Sequence, residues 1–288
     1  MKIHILKTSQ GARPDSQVFK YPAHNADYGV EQDFLAYLQK NRRLTTEDPS
    51  EANWHYLPIY WTRWHLNHGY GSSGLSELQS EVDSSILDDA KTFAVCQYDD
   101  GPLAEVGKTV LFLSSRNTPS GIDIPLLSTA HRKPFFRKGK KYLASFTGRL
   151  DTHPLRQEMA EALRGRPDVY VYDGNKGPNF FIDTMLHSHL ALCPRGYGGS
   201  SFRLFEAMQL GIVPLLVGDI DTRPFRKFLA WDRLSFYTPT VAGIGPILDD
   251  CNTLDLSEMA SQARQAYRAD LCFGQWCKFV LKELEELS

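Results

Sequence analysis

No stretch of this 288-residue chain reaches the roughly 18–20 consecutive apolar residues that cross a bilayer, so no transmembrane helix is expected. The opening MKIHILKTSQ has too short an apolar core for a secretory signal and reads as a β-strand entering the fold directly. Charge of one sign is also scarce. Lys and Arg number 32 against 34 Asp and Glu, and a net charge of −2 supplies no positive field to hold nucleic-acid phosphates. Cysteine is sparse and odd in count. Cys96, Cys193, Cys251, Cys272 and Cys277 are scattered, mostly among apolar neighbours, which fits reduced thiols in a cytoplasmic protein better than a disulfide framework. Cys272 and Cys277 lack the second pair that a zinc site would need. Low-complexity tracts and short-period repeats are missing as well.

What is present is an ordinary globular composition, 42% hydrophobic and 23% charged, in a chain suited to one large or two moderate domains. Val30–Lys40 has helical spacing, with Phe34, Leu35 and Leu38 on one face. An aromatic stretch follows, then a helix around 75–90. Beyond it TFAVCQY, TVLFLSS, KYLASFTG, VYVYD, LALCP and IVPLLV read as short buried strands. Helices are expected near Pro154–Arg164, at FIDTMLHS and at SFRLFEAMQLG. Strands alternating with helices predict an α/β fold with parallel sheets. The rhythm runs twice, on either side of a segment at Arg132–Lys141 with six Lys/Arg in ten positions. Two Rossmann-like domains follow, 1–130 and 131–288, with the last helix able to pack back on the first.

The most informative run is HSHLALCPRGYGGSSFRLFEAMQLGIVPLLVGD, from His187 to Asp219. A strand gives way to a Gly/Ser loop at Arg195–Ser200, and a helix starts at Ser200 or Ser201, either of which can cap it. The first amides of such a helix have no intrahelical acceptor and sit at the positive end of its dipole. Gly196 and its glycine neighbours let an anion approach the backbone. Arg195 or Arg203 can add a charge-assisted bond, and Glu206, one turn below Arg203, can accept two vicinal pentose hydroxyls. Diphosphate at the helix tip and pentose on the carboxylate describe a nucleotide. The competing reading of Arg203 and Glu206 is a solvated (i, i+3) ion pair. A second motif, GYGSSG at Gly69–Gly74, matches G-x-G-x-x-G by letter but follows a Trp/His-rich stretch rather than a strand.

Cys193–Gly196, Ser201, Arg203, Glu206–Ala207, Gly211 and Pro214 together resemble the exostosin family of glycosyltransferases, whose pattern is C-P-R-G, a short linker, S-x-R-x-x-E-A, then x-x-G-x-x-P-V. DIPLL at Asp123–Leu127, SFTGRLDTHPLR at Ser145–Arg156, RPFRKFLAWDRLSF at Arg223–Phe236 and the strand-plus-acid FAVCQYDDG agree, so the resemblance spans roughly residues 90–270. It implies two Rossmann-like domains facing a cleft, the GT-B architecture. The N-terminal half would bind a glycan acceptor and the C-terminal half a nucleotide sugar, usually a UDP-sugar, with transfer inverting the anomeric centre. The alternative it leaves is a catalytically weak nucleotide-sugar-binding subunit of a glycosyltransferase complex.

Inverting transfer needs a base for the acceptor hydroxyl and stabilisation of the departing diphosphate. Asp99, which matches the family's aspartate, and Asp100 follow a buried strand and are base candidates, although Asp-Asp-Gly also suits a tight turn. The family's histidine just before that aspartate is Tyr98 here. His65 and His68 are rival bases. Gly148 would let the diphosphate pass, with Arg149 or Arg156 balancing its charge. Arginines and a helix dipole at the leaving group make a metal unnecessary, no Asp-x-Asp triplet is present, and no cofactor is expected.

Overall fold

The computed structural model describes residues 1–16, 29–128, 130–131, 139–251 and 253–288. Two compact units form, residues 1–127 with 273–288, and residues 128–272. The chain crosses between them after Leu127 and returns at Phe273, so the C-terminal segment does not belong with the domain that precedes it in sequence. Most of the basic segment, residues 132–138, lies outside the described residues.

In the first unit β1 (Ile3–Ile5), β2 (Trp54–Tyr56), β3 (Thr92–Cys96), β4 (Val110–Leu113) and β5 (Ile122–Asp123) lie side by side in chain order, all parallel. The helices are α1 (Val30–Lys40), α2 (Trp61–Asn67) and α3 (Leu75–Ser85). The expected helix over 75–90 stops early. Ile86 turns extended at ψ 121°, and a separate short turn at Asp89–Lys91 leads into β3. Strands β2 and β5 escape the sequence because three and two residues are too few to show alternation.

The second unit holds β6 (Tyr142–Gly148), β7 (Val169–Asp173), β8 (Ser188–Pro194), β9 (Val213–Val217) and β10 (Phe236–Thr238), with α4 (Pro154–Ala162), α5 (Pro178–Leu186), α6 (Phe202–Leu210), α7 (Ile244–Cys251) and α8 (Leu256–Ala266). Phe146, Leu190, Leu192, Val213 and Leu215 alternate onto one face and pack with Met159 of α4 and Ile244 and Leu248 of α7. Helices α5 and α6 lie against β6, β8 and β9 outside that cluster, so the sheet is covered on both faces. Strand order is β10-β9-β8-β6-β7, all parallel. The chain leaves β6 towards one edge and β8 towards the other, so the loops after these neighbouring strands diverge. In an open parallel sheet that reversal is where a ligand crevice forms. The first sheet, built in simple chain order, has no such reversal among its described strands.

The last helix, α9 (Cys277–Leu287), belongs to the first unit. The buried Asp33 carboxylate accepts from the Gly274 amide at 2.6 Å and the Trp276 indole at 2.7 Å, while the Trp276 ring packs 5.7 Å from Phe34. Trp54 Nε1 donates to the Leu284 carbonyl at 3.1 Å. No helix among the described residues is long and apolar enough to cross a membrane.

The first unit also encloses Glu31, fully buried in the first turn of α1. One of its oxygens accepts from the Thr62 amide at 3.2 Å, the Thr62 hydroxyl at 2.8 Å and the Gln97 amide at 3.0 Å, whereas the other has no partner. Burial raises the Glu31 carboxyl above its ordinary range, against the hydrogen bonds that lower it. The folded chain therefore holds this proton more tightly than the unfolded chain. The contribution to stability is fully present at acid pH and is lost as pH rises through the raised value. Glu31→Gln should raise the melting temperature at pH 8 by roughly 2–4 °C, with a smaller gain at pH 5. Melting curves at the two pH values check this, and an equal gain at both would refute it.

Candidate functional site

The carboxyl ends of β6 and β8 and the loops after them gather most of the residues expected at a donor site. Strand β6 ends at Gly148 with φ 155°, and a Cβ there would stand 2.8 Å from Nη2 of Arg203. Glycine is required because the guanidinium occupies that space. Arg203 stands in the first turn of α6, and its Nη2 donates to the Thr147 carbonyl. Its guanidinium carbon lies 4.3 Å from the Phe146 ring centroid and 5.4 Å from that of Phe181, close enough for cation–π attraction to both. Burial pushes the group below its usual value. Its Nε is buried with no hydrogen-bond partner, a donor aimed at nothing in the chain itself.

Arg156 ties the two crevice loops together. Its Nε donates to the Arg195 carbonyl at 2.9 Å and its Nη1 to the Arg149 carbonyl at 3.0 Å, with the guanidinium 5.7 Å from Phe146. Nη2 lies 3.1 Å from where a Cβ on Gly196 would stand, so the glycine loop runs directly past this cation. Arg149 behaves differently. Its exposed side chain forms a two-bond pair with Asp151 at 3.0 and 2.7 Å, which leaves Arg156 as the better placed of the two. Arg195 pairs with Asp219, beyond the end of β9, through a short contact. Ser200 and Ser201 are buried, and Ser201 occupies the N-cap position of α6. The expected capping bond is not made: the Ser201 side chain accepts from no α6 amide. Gly211 closes the helix in the left-handed region at φ 69°, as expected.

The solvated Arg203–Glu206 ion pair is overturned. Glu206 is only 3% exposed, and its Oε1 meets Nε2 of His131 at 3.0 Å. Gln209, one turn further along α6, accepts the His131 amide at 3.0 Å and donates to the Ser128 hydroxyl at 2.8 Å. Sequence reasoning missed His131 and Gln209. Gln209 shares a helical face with Glu206 at i+3 spacing, which was a usable signal; His131 lies in a basic segment with no periodic pattern. Cys193, beneath the loop, is buried, and burial pushes its thiol up to about 12, so it packs as a small apolar group. Trp231 and Phe225 are likewise core residues.

In the first unit the strand β3 runs out into a tight turn closed by the Gly101 amide on the Tyr98 carbonyl at 3.0 Å. Asp99 and Asp100 are its two central residues, Asp99 partly buried and Asp100 exposed. Asn117 Nδ2 braces the turn, donating to the Asp99 carbonyl at 3.1 Å and to Oδ1 of Asp100 at 3.3 Å. Tyr98, standing where the family has histidine, is buried, and burial, with Asp100 and Asp99 next, pushes its phenol up to about 12. Its hydroxyl donates to the Tyr70 carbonyl at 3.0 Å. Thus GYGSSG joins α2 to α3 as a backbone anchor, with no strand before it. Its Gly71 takes the left-handed conformation at φ 75°, which favours glycine, and Leu103 Cδ1 would lie 2.5 Å from a Cβ there.

His65, expected as a rival base, is fully buried, 4.6 Å from the Tyr98 ring, with Nε2 donating to the Pro102 carbonyl at 2.8 Å. Burial pulls it down to about 4, so at neutral pH it is an uncharged packing group. His68 stacks on Trp64 at 4.1 Å. Among the described residues no three His, Cys, Asp or Glu side chains are grouped so as to hold a metal ion.

Two parallel five-stranded α/β units, the second with arginines on the loops at its strand-order reversal, define a two-unit α/β protein. Residues 103–241, just under half of the chain, match the Exostosin GT47 domain, so this part of the chain is similar to the exostosin-like glycosyltransferases. A protein named "Probable glycosyltransferase" from Arabidopsis thaliana is 25% identical over 244 residues, 72% of this chain and 50% of its own length. Exostosin-1 of Drosophila melanogaster is 27% identical over 125 residues, 35% of this chain and 16% of its own length. The chain thus matches about half the plant relative's length and far less of the fly's. Among solved structures, Anabaena HepE in complex with UDP-glucose aligns with TM-score 0.42 and 11% identity, over 98% of this chain and 100% of that one.

Proposed function

We propose that this chain is an inverting glycosyltransferase that moves a sugar from a nucleotide donor, a UDP-sugar, to a hydroxyl of a glycan acceptor in the cytoplasm. The observation that carries this reading is the convergence of Arg156 and Arg203 on the glycine-walled crevice between β6 and β8, with the buried Glu206 one turn further along the same helix. Two fixed guanidinium groups and the amino end of α6 suit a diphosphate, and a carboxylate below them suits the pentose diol.

In the reaction the acceptor hydroxyl loses its proton to Asp99 as its oxygen attacks the anomeric carbon. The bond from that carbon to the diphosphate breaks on the opposite face, which inverts the centre. The electron pair leaves on the diphosphate, where Arg203, Arg156 and the helix dipole stabilise the charge. That stabilisation is supplied by this chain's own residues, so transfer is proposed to proceed without a metal ion. The exostosin-like sequence and the plant relative's name support the reaction class.

Incubation with a panel of UDP-sugars and assay of released UDP test the proposal. Slow hydrolysis of one or two donors is expected. Release of a nucleoside diphosphate from GDP- or dTDP-sugars alone would overturn the donor, and failure to bind any nucleotide would overturn the class.

A further inference from the structure

The carboxylate of Glu206 is almost inaccessible, at 4% side-chain exposure, so its charge and its plane must be held by the groups packed around it. A carboxylate that is to accept two adjacent hydroxyls has to present its oxygens in a fixed orientation, and free rotation of the group would squander that geometry. His131 supplies a brace. Its Nε2 lies 3.0 Å from Oε1 of Glu206, so a proton lies between the two atoms. The imidazole is itself fixed. Its backbone amide is held at 3.0 Å by Oε1 of Gln209, which reaches on to Ser128 at 2.8 Å, and its ring packs 6.0 Å from Phe181. Gln209 and Glu206 belong to the same helix, so histidine and carboxylate are registered against one rigid element. Phe181 also carries the Arg203 guanidinium on its ring. The diphosphate cation and the pentose carboxylate therefore share one packed support.

We infer that His131 is a positioning residue for pentose recognition: it sets the plane of the Glu206 carboxylate and so establishes the preference for a ribose diol over a deoxy sugar in the nucleotide. The inference rests on the reading of Glu206 as the pentose acceptor. It acts through a group 75 residues away in sequence and requires no contact between the imidazole and the nucleotide.

Calorimetric titration of the full chain with UDP and with 2′,3′-dideoxy-UDP tests it, because a generally loosened structure would weaken both ligands alike. His131→Leu should lower UDP affinity about 10-fold and leave the dideoxy analogue within about 2-fold of the parent value. His131→Gln, which retains an N–H donor, should recover most of the preference for UDP. Should His131→Leu fail to fold, Gln209→Leu, which releases the histidine backbone, should shift the same ratio in the same direction. An unchanged ratio, equal weakening of both ligands, or tighter binding of UDP would each overturn the role of His131. Glu206→Ala run in parallel separates the two ideas. If it too leaves the ratio unchanged, the pentose reading itself is wrong; if it removes the preference while the His131 and Gln209 variants keep it, only the brace is wrong.

Discussion

Arg203→Ala will weaken UDP binding about 30- to 100-fold while the chain remains folded, the loss of one or two charge-assisted hydrogen bonds to the diphosphate. The guanidinium is held from three directions, by the Thr147 carbonyl and by the rings of Phe146 and Phe181, and it fills the space that Gly148 leaves open. Such a cation is already organised for an anion before any ligand arrives. Its Nε is also buried without a hydrogen-bond partner in the chain. Arg203→Lys should recover only a small part of the loss. An ammonium keeps the charge but neither stacks on two rings nor offers a planar fork. Calorimetry with UDP decides the matter, with a thermal melt as control because the Thr147 carbonyl loses its donor. Undiminished affinity in a folded Arg203→Ala chain would remove diphosphate binding from this crevice.

Asp99→Asn will reduce sugar transfer about 10³-fold and leave UDP affinity unchanged, because an amide keeps the shape of the turn but cannot take a proton. Tyr98 is locked as a hydrogen-bond donor to Tyr70, and His65 is buried and uncharged. Asp100 has its carboxylate engaged by Asn117. Asp99 stands at the centre of a turn braced by the same Asn117 through its backbone, so its side chain is carried by a stiff mount at the carboxyl end of a buried strand. The loss should appear in kcat rather than in the KM for donor. Full turnover in Asp99→Asn would show that the base lies elsewhere, and Asp100→Asn would be the next variant to assay.

The stretch from Ser188 to Val217 was legible because its information is local. An apolar run, a glycine loop and a 3.6-residue period place Arg195, Ser201, Arg203 and Glu206 on one strand–loop–helix unit, and the structure has that unit at those residues. The same holds for α1, whose Phe34, Leu35 and Leu38 are all buried. Legibility failed where partners are distant or elements short. Nothing in the first turn of α1 announces that Glu31 is sealed beneath Thr62 and Gln97. Nor does the glycine pattern at Gly69–Gly74 reveal that its backbone serves to hold a tyrosine hydroxyl.

By itself the amino-acid order determined a parallel α/β chain with an exostosin-like stretch and the strand–loop–helix that carries an arginine and a carboxylate, since periodicity and loop composition act over neighbouring residues. Only the tertiary structure decided that β6 and β8 lie side by side with β7 at the edge, that Arg156 spans their loops, that Arg149 turns away to Asp151, and that Glu206 is held by His131. Strand order and burial arise from how elements far apart in the chain pack. A carboxylate's role depends on which distant donor meets it once water has been excluded.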